Sequence, residues 1–232
     1  MTPRTSLARR LLAATLVASF AFTFAPLAAS ADTGDWLIRL RGINVSPDDS
    51  SSAVRSNGSA IGGSSVSVDD DTVPELDITY FVRPNWGLEL ILATSEHNVS
   101  AEGSLSALGE IVTSDVLPPT LLLQYHFAPD ARIRPYVGLG VNFTLFFDEE
   151  ASASFEAAAG GSSDVDLDSS VGLAGQLGVD VGLNDDWFLN FDVKYLDLQT
   201  DATIETPGAL GTVEVDVDIN PIVWGFGFGR RF

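Results

Sequence analysis

Read at alternate positions, much of the chain beyond residue 34 has a two-residue period. Trp86, Leu88, Leu90 and Leu92 alternate with Gly87, Glu89, Ile91 and Ala93, and Leu121, Leu123, Tyr125 and Phe127 alternate with Leu122, Gln124 and His126. Val137 to Phe147, Val171 to Leu183 and Trp187 to Tyr195 repeat the pattern, with glycines or polar residues in most intervening places. Successive strand side chains point to opposite faces. Each run therefore predicts a strand with one face in an apolar medium and the other against small or polar groups. Segments near 35–46, 73–83 and 212–232, and a start at Leu117 for the run that ends at Phe127, complete a set of eight.

The connections separate into two kinds. Arg83-Pro84-Asn85, Ala128 to Arg134 and Asn184-Asp185-Asp186 are short turns, whereas 47–72, 98–116, 148–168 and 200–211 are long and rich in Ser, Asp, Gly and Ala. Strict alternation of short and long predicts an up-and-down antiparallel meander with its short turns at one end. That topology brings Trp36, Trp86, Phe127, Trp187 and Phe232 to one height, at the short-turn end. Such an aromatic girdle belongs at a membrane–water boundary. A secreted lipocalin-like barrel, apolar face inward around a ligand, is the other closed meander. The aromatic ring, the loop alternation and the Gly-rich partner faces favour the membrane form. The expected fold is all-β, an eight-stranded antiparallel up-and-down transmembrane β-barrel with four long extracellular loops and three short periplasmic turns.

The first residues read as an address. Arg4, Arg9 and Arg10 precede an apolar run from Leu11 to about Ala28, closed by Ala29-Ser30-Ala31. A basic start, an apolar stretch and small residues at −3 and −1 make a secretory signal peptide over 1–31, cut between Ala31 and Asp32. The barrel then occupies 32–232. Past this segment no apolar run approaches the ~18 residues of a spanning helix.

Composition agrees and narrows the function. The 232 residues carry 12 Lys+Arg against 32 Asp+Glu, a formal charge of −20, yet 45% are hydrophobic. Mean hydropathy is +0.20, too apolar for a disordered chain. Without its signal the chain keeps nine basic residues and a formal charge of −23. Such an acidic balance excludes nucleic acid as a partner. The absence of Cys excludes disulfide scaffolds, Cys-based zinc sites and thiol catalysis.

Several segments together resemble the OmpW family of outer-membrane proteins. They are Gly34-Asp35-Trp36-Leu37-Ile38-Arg39, Arg83-Pro84-Asn85-Trp86-Gly87-Leu88-Glu89, Leu117-Pro118-Pro119-Thr120 leading into Tyr125-His126-Phe127, Arg134-Pro135-Tyr136-Val137-Gly138-Leu139-Gly140-Val141-Asn142, and Asn220-Pro221 through Phe232. The Ser/Gly/Asp-rich stretch from Asp48 to Asp71 departs from it. The resemblance implies a bacterial outer-membrane location, a narrow hydrophobic channel and uptake of small hydrophobic solutes, as in the related AlkL-type alkane importers. The lipid and lipopolysaccharide of that membrane are then partners.

Residue phase extends this to mechanism. Counting back from Phe232, Arg230, Phe228, Phe226, Trp224 and Ile222 share one face and Gly229, Gly227, Gly225 and Val223 the other. A terminal Phe with alternating aromatics resembles the signal read by the barrel-insertion machinery, making Phe232 its contact. The same phase turns Val213, Val215, Val217 and Ile219 inward as a channel lining and Glu214, Asp216 and Asp218 outward. Carboxylates cost roughly 2–4 kcal/mol or less at the bilayer midplane, so this part of the strand should stand above the membrane. A bulge near Pro221 that resets the phase is the competing reading. Inward groups at the lower end include Arg39, Arg41, Glu75, Asp77, Glu89, Gln124, Asn190, Asp192 and Lys194. Buried charges persist when paired, so Arg39 and Lys194 should meet carboxylates and plug the lower lumen. An eight-stranded barrel is filled by its own side chains. A solute would then leave sideways, where Pro118-Pro119 or Pro221 removes ladder donors. The alternative from another class is a structural or receptor barrel that binds partners through its loops.

Other constellations fail. His97 and His126 lack neighbouring ligands for a metal. Asp164-Val165-Asp166-Leu167-Asp168 begins like a calcium loop, but Ser169 and Gly175 stand where Gly and Glu are required. Gly138-Leu139-Gly140 lacks the third Gly of a dinucleotide site. Asp69-Asp70-Asp71 reads as a solvated loop. No cofactor is implied and no enzyme is expected.

Overall fold

The computed structural model describes residues 33–232. The signal segment and the Ala31–Asp32 junction lie outside the described residues. Eight wall strands run β1 Trp36–Ser46, β2 Asp71–Arg83, β3 Trp86–Ala93, β4 Thr120–His126, β5 Ile133–Ala151, β6 Ser170–Gly182, β7 Trp187–Leu196 and β8 Ile222–Arg231. Each pairs antiparallel with the next, and β8 returns to β1, with registers such as Leu40↔Phe228, so the sheet closes on itself. No helix among the described residues is long and apolar enough to cross a membrane.

Polarity in the lower half is inverted relative to a water-soluble barrel. Leu88, Leu123, Leu139, Leu173, Phe191 and Phe226 are exposed on the outside, while Arg39, Asp77, Glu89, Asp180 and Asp192 are fully buried inside. Where the lumen is crowded, glycine makes the room: a Cβ at Gly178 would overlap the Tyr136 ring, and one at Gly225 the Asp192 carboxylate. The short-turn end carries the aromatics. Trp86 meets Tyr125 edge-on at 5.0 Å, Tyr125 meets Phe127 at 5.2 Å, and Trp36 packs on Tyr80 at 4.8 Å. The Arg230 guanidinium lies 4.8 Å from the Phe232 ring centre and 5.6 Å from that of Trp187.

The long connections are not loops for most of their length. Ser95–Gly103 prolongs β3, Glu110–Leu117 leads into β4, Gln199–Glu205 prolongs β7 and Thr212–Asp218 leads into β8; Asp164–Leu167 pairs with Gln199–Glu205. The barrel is tall, with its upper half in the opposite polarity. Val66, Ile111, Val112, Ile204, Val213, Val215 and Val217 are buried, while Glu96, Asp201, Glu214, Asp216 and Asp218 face out. No phase reset occurs at Pro221: Val217, Pro221 and Val223 are all buried. Asp69 and Asp71 are not simply solvated either; they accept backbone N–H bonds from Asn98 at 2.7 Å and Glu96 at 3.0 Å, fastening β2 to the β3 extension.

A short helix unmarked by hydrophobic period, α1 Ala153–Ala159, covers the top. Ser152 caps it by accepting the Phe155 N–H, Gly160 ends it in the left-handed region at φ 90°, and Phe155 and Ala159 are buried against Ile111, Ile204 and Val213.

Candidate functional site

The lower lumen is one hydrogen-bonded charge network to which seven strands contribute. From β1, Arg39 donates to Asp180 on β6 at 3.0 and 3.2 Å, to Glu89 on β3 at 3.0 Å and to Thr79 on β2 at 2.7 Å. Two residues on, Arg41 faces Asp77 at 2.6 Å, Glu75 at 2.9 Å and Asp192, and donates to Asn190 at 3.0 Å. Lys194 on β7 holds both oxygens of Glu75 at 2.7 and 3.0 Å and lies 3.3 Å from Asp192. Amides link the pairs: Gln124 donates to Glu89 and to Gln176, each at 2.7 Å, and Gln176 donates to Asp192 at 2.8 Å. β8 supplies space instead of groups, through Gly225, Gly227 and Gly229. These side chains are 0–4% exposed, so the network seals the lumen. Burying this many charges is tolerable because each meets an opposite partner.

Arg39, Arg41, Glu89, Asp192 and Lys194 are thus brought together with Glu75, Asp77, Gln124 and Asn190. Sequence reasoning did not assign Asp180, Gln176, Tyr136 and His126 to the plug. Tyr136 accepts the Asn190 amide at 2.9 Å and stacks on His126 at 5.0 Å. The signal was available: Asp180 and Gln176 share the even, inward phase of β6 with Ala174.

Above the seal lies an apolar cavity of about 100 Å³. Val215, Val217 and Ile219 line it with Ile43, Val66 and Ile111. Val213 sits higher, in the cluster with Phe155. Among the described residues lining the cavity, Glu75 and Lys194 carry the charge and form its floor, while His97 on the wall bonds Ser95 at 3.0 Å and the Asp69 carbonyl at 2.8 Å.

The three prolines occupy different situations. Between the pairs Ile91↔Thr120 and Ser95↔Val116 no ladder pair joins 92–94 to 117–119. Pro118 lines the cavity at this gap, and Pro119 accepts the Phe143 N–H at 3.0 Å on the other side. The missing proline N–H groups account for the interruption. Pro221 also lines the cavity, but the wall stays closed there: Leu196 donates to its carbonyl at 3.2 Å and Ile219 donates to Leu198 at 2.8 Å. A second discontinuity, not foreseen, lies above Thr144↔Ser170. There β5 continues with Glu110–Leu117, while Asp164–Leu167 turns to Gln199–Glu205.

A closed eight-stranded barrel, apolar outside and charge-sealed within, defines an integral outer-membrane protein. The chain belongs to the OmpW family, whose model matches residues 32–232. It is 38% identical to outer membrane protein W of Vibrio cholerae over 215 residues, covering 91% of this chain and 94% of that one. The crystal structure of the outer membrane protein OprG from Pseudomonas aeruginosa superposes with a TM-score of 0.82 at 39% identity, over 87% of this chain and 97% of that one. Outer membrane protein AlkL of Ectopseudomonas oleovorans is 31% identical over 88% of this chain and 85% of its own length, and the AlkL structure in lipid bilayers, covering 92% and 97%, gives a TM-score of 0.63.

Proposed function

We propose that the barrel admits small hydrophobic molecules from outside the cell by passive diffusion and releases them sideways into the membrane. The observation that carries this reading is the apolar cavity standing directly on a sealed polar plug. A solute leaving water for such a lining gains roughly 25 cal/mol per Å² buried, so about 200 Å² is worth roughly 5 kcal/mol. The charge network beneath offers it no onward path. The ladder gap at Pro118 does, because it adjoins the cavity and lies just above Leu121, at the upper margin of the apolar outer band.

Uptake of N-phenyl-1-naphthylamine by cells lacking the protein, with and without the wild-type chain restored, tests the reading. Restoration should speed uptake, and equal rates overturn it. The chain has no Cys, so a Thr94→Cys/Leu117→Cys pair, which keeps both prolines, is a clean staple across the gap. Oxidation should slow uptake and reduction restore it. Asp201→Asn/Asp216→Asn on the outer face should leave uptake unchanged. Loss through that outer-face pair alone would favour a receptor.

A further inference from the structure

Five buried carboxylates, Glu75, Asp77, Glu89, Asp180 and Asp192, share the plug with three cations, Arg39, Arg41 and Lys194. Only one opposite pair from this set, Lys194 and Glu75, also lines the apolar cavity. Both are 3% exposed, and around them the lining is Val, Ile, Leu and Pro for most of its area. A ligand that fills the cavity therefore meets both signs of charge at one spot, and elsewhere a mainly apolar wall whose polar residues are Ser95, His97, Thr120 and Thr200.

We propose that the Lys194–Glu75 pair is a headgroup site for neutral hydrogen-bonding amphiphiles, the simplest being a primary alcohol with its chain directed up the valine-lined shaft. This rests on the uptake reading above and specifies which solutes it favours.

The bonding pattern selects the head. Glu75 Oε1 is held by Lys194 at 2.7 Å and faces Arg41 at 2.9 Å, whereas among the described residues Oε2 is held by Lys194 alone, at 3.0 Å. A carboxylate oxygen has two acceptor sites, so Oε2 retains one for an incoming O–H. On the other side, the longest contact of the Lys194 ammonium is 3.3 Å to Asp192. Asp192 keeps Arg41 and the Gln176 amide if that contact is given up. A hydroxyl donates and accepts at once, so it satisfies both members of the pair without adding charge. An alkanoate would bring a further anion to a network whose carboxylates already outnumber its cations. An alkylammonium would face Lys194 across the same oxygen. Either charged head also loses its hydration on burial without gaining a partner of its own.

The test uses the full mature chain in phospholipid nanodiscs loaded with N-phenyl-1-naphthylamine. The dye is displaced by 1-octanol, n-octane, octanoate and octylammonium. Each ligand is compared between wild type and Glu75→Leu/Lys194→Met, which removes one charge of each sign and so leaves the net charge of the plug unchanged. Taking the ratio for each ligand cancels its partition into the lipid. Octanol should weaken about tenfold in the variant, as expected for the loss of two hydrogen bonds, while octane is unchanged and the charged heads displace poorly from wild type. If octanol and octane shift together, or octanoate or octylammonium competes with octanol on wild type, the headgroup site is overturned and cavity binding stands. If none of the four displaces dye from wild type, the uptake reading itself fails. Heat-modifiable migration on gels, read alongside, identifies any variant that has not folded.

Discussion

Arg39 and Arg41 leave the same strand on the same face, two residues apart, yet they close different parts of the lumen. Arg39 reaches Glu89 and Asp180, with its guanidinium 5.1 Å from the Tyr136 ring centre; Arg41 gathers Glu75, Asp77 and Asp192. Removing one partner of a buried pair strands the others at about 3–5 kcal/mol. Arg41→Met is therefore expected to destabilise the barrel by about that amount, measured by reversible urea unfolding in phospholipid vesicles. Arg41→Met/Asp192→Leu should lose less than Arg41→Met alone, since one stranded carboxylate goes with the cation. Equal losses would mean the plug is not held by charge pairing. The identities of these residues were legible because a charge on the inward phase of a membrane strand persists only where opposite charges inside the lumen hold it. Their pairings were not. Arg39 and Asp180 stand 141 positions apart, and which inward groups share a level depends on shear around the barrel, which period two does not encode.

At the scale of the element, the upper strands explain both what the sequence revealed and what it hid. Thr212–Asp218 was readable because Val213, Val215 and Val217 alternate with Glu214, Asp216 and Asp218. Its neighbour Gln199–Glu205 was not, because of its inward residues, Thr200, Ala202 and Ile204, only Ile204 is strongly apolar, and its outer ones are polar. A strand with water outside and a narrow cavity inside resembles a loop in composition. The pairing has an electrostatic consequence. Asp201 lies opposite Asp216 and Asp164 opposite Glu205, placing like charges on one outer face. Such pairs are destabilising, by an amount on the scale of roughly 0.2–1 kcal/mol that cross-strand pairs reach, and salt screens them. Hydrogen exchange of the Gln199–Glu205 amides should therefore slow between low and high NaCl. Asp201→Lys should slow it at low salt and remove most of the salt response. Exchange indifferent to salt in the wild type would show that these carboxylates do not govern the sheet.

Across the whole molecule, the same barrel is folded for two solvents. Below the level of Phe143 and Val171 the apolar side chains face outward and lipid completes the structure; above it they face inward, and the extension holds together as a small soluble sheet does. Charge follows the division. Of the cations in the described chain, Arg55 alone lies in the extension, while Arg39, Arg41 and Lys194 are in the plug and the rest are toward the short turns. The two halves consequently lack a common source of stability, and the acidic upper half carries the like-charge pairs. All four Trp residues, at 36, 86, 187 and 224, belong to the lower half. Tryptophan emission therefore reports that half alone, whereas far-ultraviolet circular dichroism reports both. In vesicles titrated with urea, the strand signal should fall in a first step while emission stays constant, with a second step carrying the emission shift. Raising NaCl should move the first midpoint up and leave the second nearly fixed, because lipid-facing and plug contacts are shielded from salt. Coincident transitions by the two signals would show that extension and membrane barrel unfold as one unit, and that the Pro118 gap does not uncouple them.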